Sequence, residues 1–332
     1  MSPGSMDAAT GELLAASVRE LFAAGPDARD LGFRLADLGW AEVLAEDPAW
    51  ATTLLFAEHG SALATSRALD DVLLAELAPA LPPADRPRAV LHPHPADGAE
   101  PAPLGGPLRG LLLGPVDGVD EVAVPVTDGD TVALLLVPAA TFSGATAPVG
   151  GFDSGSGWLL VDGAAPQPGL VPVPLGAAWQ SALAAGRRAL AAEIIGVCEA
   201  AFALAVAHTS ARVQYGRPIA SFQAVRHRLA EAHVAVTGAR SVLEAAWGAA
   251  DGPDAAWVAT LAKARAGRAQ AEVMRTGVQV LGAMGLSRES TMHRFVTRAA
   301  ALDALFGSSR TLTERIGTEL LAGAPLPPVV GI

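Results

Sequence analysis

Thiols are almost absent from this chain: its 332 residues include one cysteine, Cys198. A single thiol excludes an internal disulfide framework and fits a reducing compartment. Cys198 falls in an apolar helical run, where a buried thiol is the expectation rather than a nucleophile. Positive charge is also short. Lys and Arg total 23 against 34 Asp and Glu, and a net charge of −11 excludes sequence-independent nucleic-acid binding, which needs a basic face. No uninterrupted apolar stretch is expected to span a membrane, because Arg, Glu and His break the Ala-rich runs. The opening MSPGSMDAATGELL lacks the basic-then-apolar order of a secretory signal, and Met6 is a candidate native start. A soluble, cytoplasmic protein without nucleic-acid or membrane partners is expected.

What the chain does have is apolar residues, at 51%, enough for a large core. Residues 7 to about 80 carry apolar positions at helical spacing. The stretch ALPPADRPRAVLHPHPADGAEPAPLGGP is dense in Pro and Gly and marks a boundary loop. His92 and His94 lie inside it, without the further ligands a metal site needs, so no metal is expected. From Leu108 the period changes: VDEVAVPV and TVALLLVP read as two strands joined at Asp128-Gly129, and GWLLVDG as another. Helices return from Ala177 to about Ala322, with long runs at Ala178–His208, Phe222–Ala250 and Asp254–Leu281. Alanine at most small positions suggests close antiparallel packing in a bundle.

The segment RVQYGRPIASFQAVRHRLAEA, Arg212 to Ala232, carries the chemistry. Arg212 ends a long helix, YGRP forces a turn, and Ser221 is the candidate N-cap of the next helix. Arg212 and Gln223, a guanidinium and an amide, thus flank one turn, a layout suited to a diphosphate or a ribityl chain. An ordinary helix–turn–helix with solvent-facing arginine fits the same spacing.

This segment resembles the signature of the acyl-CoA dehydrogenase family, Arg-x-x-Phe-Gly followed by Phe-Gln. A second stretch, QVLGAMGLSRESTMHRFVTRA from Gln279 to Ala299, is similar to the family's Gln-x-x-Gly-Gly-x-Gly segment and the arginine after it. The resemblance is strong over 180–322, fair over 7–80 and weak between. It implies a mainly α fold in three parts: an N-terminal helical domain (1–83), a small, shortened middle β domain (84–176) and a C-terminal four-helix bundle (177–332). In that family FAD lies between subunits, and one protomer reaches into its neighbour's site. The residues implied to do so here are Arg212, Tyr215, Gln223, Gln279 and Gly282. Tyr215, the chain's one tyrosine, takes the usual Phe position, and Ala283 replaces the second glycine, where a methyl is expected to crowd a backbone approach.

The family's reaction needs a carboxylate to remove the α-proton of an acyl-CoA thioester. By count, the usual base position holds Gly307 and the alternative one holds Arg187, and neither can be a base. Asp303 is the substitute candidate, one turn before Gly307 and on its face if the helix continues. Glu193, Glu199, Glu289 and Glu314 read as helix-surface or capping charges. The family's Thr-Glu-Pro-x-x-Gly-Ser-Asp loop is missing between residues 95 and 165; GGFDSGSG comes too late. The resemblance therefore implies the short, catalytically degenerate subunit of an actinobacterial α2β2 steroid-CoA dehydrogenase, lending its residues to a catalytic partner that binds the acyl-CoA. Twenty-two Arg against one Lys, Lys263, fit a GC-rich genome of that kind. Two alternatives stay open: a self-sufficient dehydrogenase using Asp303, and a flavin-free CoA-binding or assembly protein.

Overall fold

Helix caps and a few glycines organise the first third of the fold. The computed structural model describes residues 7–25, 30–83, 87–97, 100–150, 153, 155–166, 168–287 and 289–325. Helices come first: α1 (Ala8–Ala23), α2 (Asp30–Asp37), α3 (Trp40–Glu46), α4 (Pro48–Ser61) and α5 (Ala68–Leu77). The Asp7 carboxylate accepts from the N–H groups of Ala9 and Thr10 at the start of α1. Asp47 accepts from Trp50 at the start of α4, where Pro48 fills the first position.

Nine strands follow among the described residues: β1 (Ala89–Val90), β2 (His92–Pro93), β3 (Ala102–Pro103), β4 (Leu108–Leu112), β5 (Glu121–Asp128), β6 (Thr131–Pro138), β7 (Thr146–Pro148), β8 (Leu159–Ala164) and β9 (Val173–Pro174). One sheet runs β1–β5–β6–β9, with β3 also paired to β5; the other runs β2–β4–β8–β7. The stretch expected as a boundary loop thus supplies three short strands. Its prolines are tolerated there because β2 is an edge strand. The β5–β6 hairpin pairs Asp128 with Thr131, so its turn is Gly129-Asp130, one residue later than expected. Gly129 has φ +60, a conformation that costs glycine nothing and that such two-residue turns require. Val122, Val124 and Val126 fill a core between the sheets, while Ala123 and Leu134 join the helical core. Burial on both faces explains the continuous apolar run in β5.

The last part contains α6 (Ala178–Ala211), the hairpin β10 (Val213–Gln214) and β11 (Arg217–Pro218), α7 (Gln223–Gly248), α8 (Ala255–Leu281), α9 (Met292–Ala304) and α10 (Ser309–Leu321). Ser221 does not cap α7. Its hydroxyl donates to the Pro218 carbonyl at 2.7 Å and closes a 3₁₀ turn, leaving Phe222 at the cap position without a side-chain bond. Helix α6 packs against α4, α5, α7, α8 and α9. Contrary to the sequence expectation, it holds an 18-residue window apolar enough to cross a bilayer; 67% of that window is buried inside the fold, so α6 is a core helix. Burial of Cys198 in this helix pushes its thiol well above the usual range, as an inert core thiol requires.

Contact between α4 and α6 depends on missing side chains. A Cβ on Gly196 would lie 2.0 Å from the Ala57 carbonyl oxygen, and one on Gly60 2.2 Å from that of Glu193. Gly196→Ala is therefore expected to lower stability by about 1–3 kcal/mol or more. Gly248→Ala, where nothing lies within 4 Å, should be neutral or stabilising by up to about 1 kcal/mol. Urea midpoints of the two variants check the contrast.

Candidate functional site

Short connections make α6, α7 and α8 run alternately up and down, so the end of α6, the start of α7 and the end of α8 share one end of the bundle. The signature residues meet there. Arg212 is the C-cap of α6, Gln223 the first residue of α7 and Gln279 lies in the last turn of α8; all three are exposed. Tyr215 turns the hairpin with φ +53 and is 93% exposed, an uncommon conformation for a bulky residue. Gly282 ends α8 with φ +63 and ψ −138, a region essentially reserved for glycine. Ala283 is exposed in the following 3₁₀ turn. Between Glu199 and Glu231 the chain has no carboxylate, and among the described residues no acid pairs with Arg212. Exposed guanidinium, amide and aromatic groups without a competing acid fit an anionic, hydrogen-bonding ligand such as FAD.

The two base positions lie toward the other end of α6, and they converge. Arg187 Nε donates to the Phe306 carbonyl at 3.3 Å and Nη1 to Thr260 Oγ1 at 2.9 Å. Burial lowers its pKa to about 10. Helix α9 ends at Ala304, and Phe306 (φ +52) and Gly307 (φ +96) turn the chain back. Asp303 therefore does not share a helix face with Gly307, as a continued helix would have required. Its carboxylate accepts from Ser309 N at 3.0 Å and Ser309 Oγ at 3.1 Å, and lies 3.7 Å from Lys263 Nζ. Lys263, fully buried, donates to the carbonyls of Asp303 (3.0 Å) and Gly307 (3.4 Å). At Gly307, φ +96 would strain any other residue, and a Cβ would lie 2.7 Å from Leu312 Cδ2, so that side chain would have to shift.

Residues 176–321 match the acyl-CoA dehydrogenase C-terminal domain family. This part of the chain resembles an acyl-CoA dehydrogenase C-terminal domain. IpdE2, an acyl-CoA dehydrogenase of Mycobacterium tuberculosis, is 37% identical over 131 residues, which cover 40% of each protein. The match thus spans about two fifths of that relative's length. A chain of the ChsE4–ChsE5 complex from Mycobacterium tuberculosis superposes with a TM-score of 0.75 at 24% identity, covering 98% of this chain and 100% of that one. A chain of a variant Tcur3481–Tcur3483 steroid ACAD superposes at 0.72 and 22%, covering 95% and 99%. The whole chain, helices, small β region and bundle, thus carries the acyl-CoA dehydrogenase fold.

Inside this fold, one acid departs from its sequence reading. Glu193 is buried, not a surface charge. Its Oε1 accepts from His59 Nδ1 at 2.9 Å, and His59 Nε2 meets Ser66 Oγ at 2.9 Å. Arg298, the arginine after the second signature, lies 4.0 Å from Glu193 and donates to Asp153 Oδ2 and the Ala64 carbonyl, each at 2.6 Å. His59, Ser66, Glu193 and Arg298 border a cavity of about 20 Å³, room for one water. An acid inside the apolar run AAEIIGV was the available signal. Glu199 and Glu314 pair with Arg240 and Arg310 near the surface, and Glu289 is exposed. His92 is buried on Asp70 at 2.6 Å, away from His94, which accepts from Ala96 N. Among the described residues no cluster of three metal-ligating side chains occurs.

Burial, with Arg187 adding like charge and Asp303 offsetting part, lowers the Lys263 pKa from 10.5 to about 8. Between those values the unfolded chain keeps a proton that the folded chain has released, so this group's contribution to stability rises with pH; below 8 its burial cost is carried in full. The urea midpoint of the native chain should therefore gain on that of Lys263→Met between pH 8 and 10, whereas parallel profiles would contradict the assignment.

Proposed function

We propose that this chain is the non-catalytic subunit of a heteromeric FAD-dependent acyl-CoA dehydrogenase, an oxidoreductase acting on CH–CH bonds. It completes the flavin site of a catalytic companion in an α2β2 assembly of the cytoplasm, with 1–83, 84–176 and 177–332 as its three units. The observation that carries this reading is a separation. From Arg187 to Arg212 is 25 residues of α6, about 37 Å at 1.5 Å per residue. The clamp end and the base end of one chain thus lie too far apart to serve one flavin. The clamp is exposed and ready to meet a second chain; the base end is closed and holds two buried cations in place of a free carboxylate.

Bound FAD would supply the hydride acceptor within the companion's site. On this chain, Arg212 would donate to the diphosphate, and Gln223 and Gln279 would offer amides. Tyr215 presents its ring, and Gly282 leaves the backbone open to close approach. The exposed methyl of Ala283 narrows that approach. The acyl-CoA is held by the companion, whose carboxylate takes the α-proton. A steroid side-chain thioester is the substrate we favour, because the superposing structures include a steroid ACAD built of two named chains. Asp303 is a poor replacement base, since both its oxygens already accept from Ser309.

Purifying the chain alone and with its companion tests this directly. Flavin absorbance and turnover are expected only in the pair; both in the lone chain would favour self-sufficiency, and no flavin in either would favour a CoA-binding or assembly role. Arg212→Ala should weaken flavin binding to the pair by about 1.5–3 kcal/mol, the size of a charge-assisted contact. Asp303→Asn should leave turnover almost unchanged.

A further inference from the structure

Four arginines lie in the acid-free span between Glu199 and Glu231: Arg212, Arg217, Arg226 and Arg228. The clamp described above uses only the first. Arg217 differs from the others in how it is held. Its guanidinium carbon sits 4.2 Å from the centroid of the Phe222 ring, and that ring stands edge-on to Tyr215 at 6.2 Å and 84°. A guanidinium stacked on an aromatic face has already given up much of its rotamer freedom.

The hairpin register aims it. Gln214 pairs with Arg217 and Val213 with Pro218, and the Ile219 N–H donates to the Arg212 carbonyl at 2.8 Å. Residues opposite one another share a face, as do residues two apart along a strand. Arg212, Gln214 and Arg217 therefore belong to one face of the ribbon, and all three are exposed. Arg212 and Arg217 are diagonal neighbours, a relation that sets Cα atoms about 7–8 Å apart, within reach of long side chains. Among the described residues no carboxylate pairs with either. The turn between them holds Tyr215 at φ +53, a strained arrangement of the sort that persists where the surroundings over-determine it.

We propose that Arg217 is a second phosphate ligand of the clamp, engaging the flavin diphosphate beside Arg212. Two guanidinium groups on one face match two linked phosphates, each able to accept a bidentate pair. This rests on the reading that the clamp serves a flavin.

The test uses the chain paired with its companion, stripped of flavin and titrated with FAD while flavin fluorescence is followed. Arg217→Ala is expected to weaken FAD about tenfold or more, as for a lost charge-assisted bond. Arg217→Gln keeps a planar group over Phe222, and with an unfolding midpoint equal to that of the native pair it should show the same loss. FAD binding unchanged in both variants, with Arg212→Ala still impaired, overturns the role of Arg217 and leaves the flavin reading intact. Unchanged binding in Arg212→Ala as well overturns that reading itself.

Discussion

A single desolvated guanidinium ties the parts of this fold together. Arg298 is buried on α9 and must be paired, because an uncompensated charge in a low-dielectric interior is costly. Its partners come from separate stretches of chain: Asp153 between strands β7 and β8, the Ala64 carbonyl before α5, and Glu193 of α6 close by. Glu193 in turn accepts from His59 of α4, which meets Ser66. Loss of one member of such a network leaves the others buried and unpaired, at a cost of about 3–5 kcal/mol. The glycine contacts of α4 with α6 flank the pair His59 and Glu193, which bond across the same two helices.

Helix α6 then separates two environments. Toward its start, Arg187 and Lys263 hydrogen-bond carbonyl oxygens at the C-terminal end of α9, where the helix dipole favours positive charge. Those bonds pair both buried cations with backbone oxygens. At its other end, Arg212, Arg217 and the amides of Gln223 and Gln279 are exposed, and among the described residues no acid pairs with either arginine. Buried and satisfied groups hold structure, and exposed and unsatisfied ones are available to a ligand. The contrast along one helix carries the functional reading.

Much of this was legible in the residues. The three long helices lie within a few residues of where the apolar period put them, since a 26- to 34-residue pattern averages over local exceptions. Arg212 and Gln223 could be placed at one turn because they are close in sequence, whereas Gln279 and Gly282 came only from the resemblance, and the fold brings them to the same end of the bundle. Glu193 was misread because an acid on a helix looks the same whether its face meets water or His59. Ser221 sat where a cap belongs, yet its hydroxyl found the Pro218 carbonyl first. Asp303 failed as a neighbour of Gly307 because the chain leaves the helix at Ala304, and no spacing rule reports where a helix stops when left-handed residues follow.

The sequence by itself determined the order of helix, strand and bundle, the signature residues at one turn, and the lack of an acid at the two counted positions. These depend on local period and on residue identity, which the linear chain carries in full. Only the tertiary structure decided that the two counted positions meet, that Arg187 and Lys263 close them, and that Glu193, His59 and Arg298 form one buried network. Those facts depend on contacts between residues 40 or more apart in the chain, and burial, not spacing, sets what such groups do.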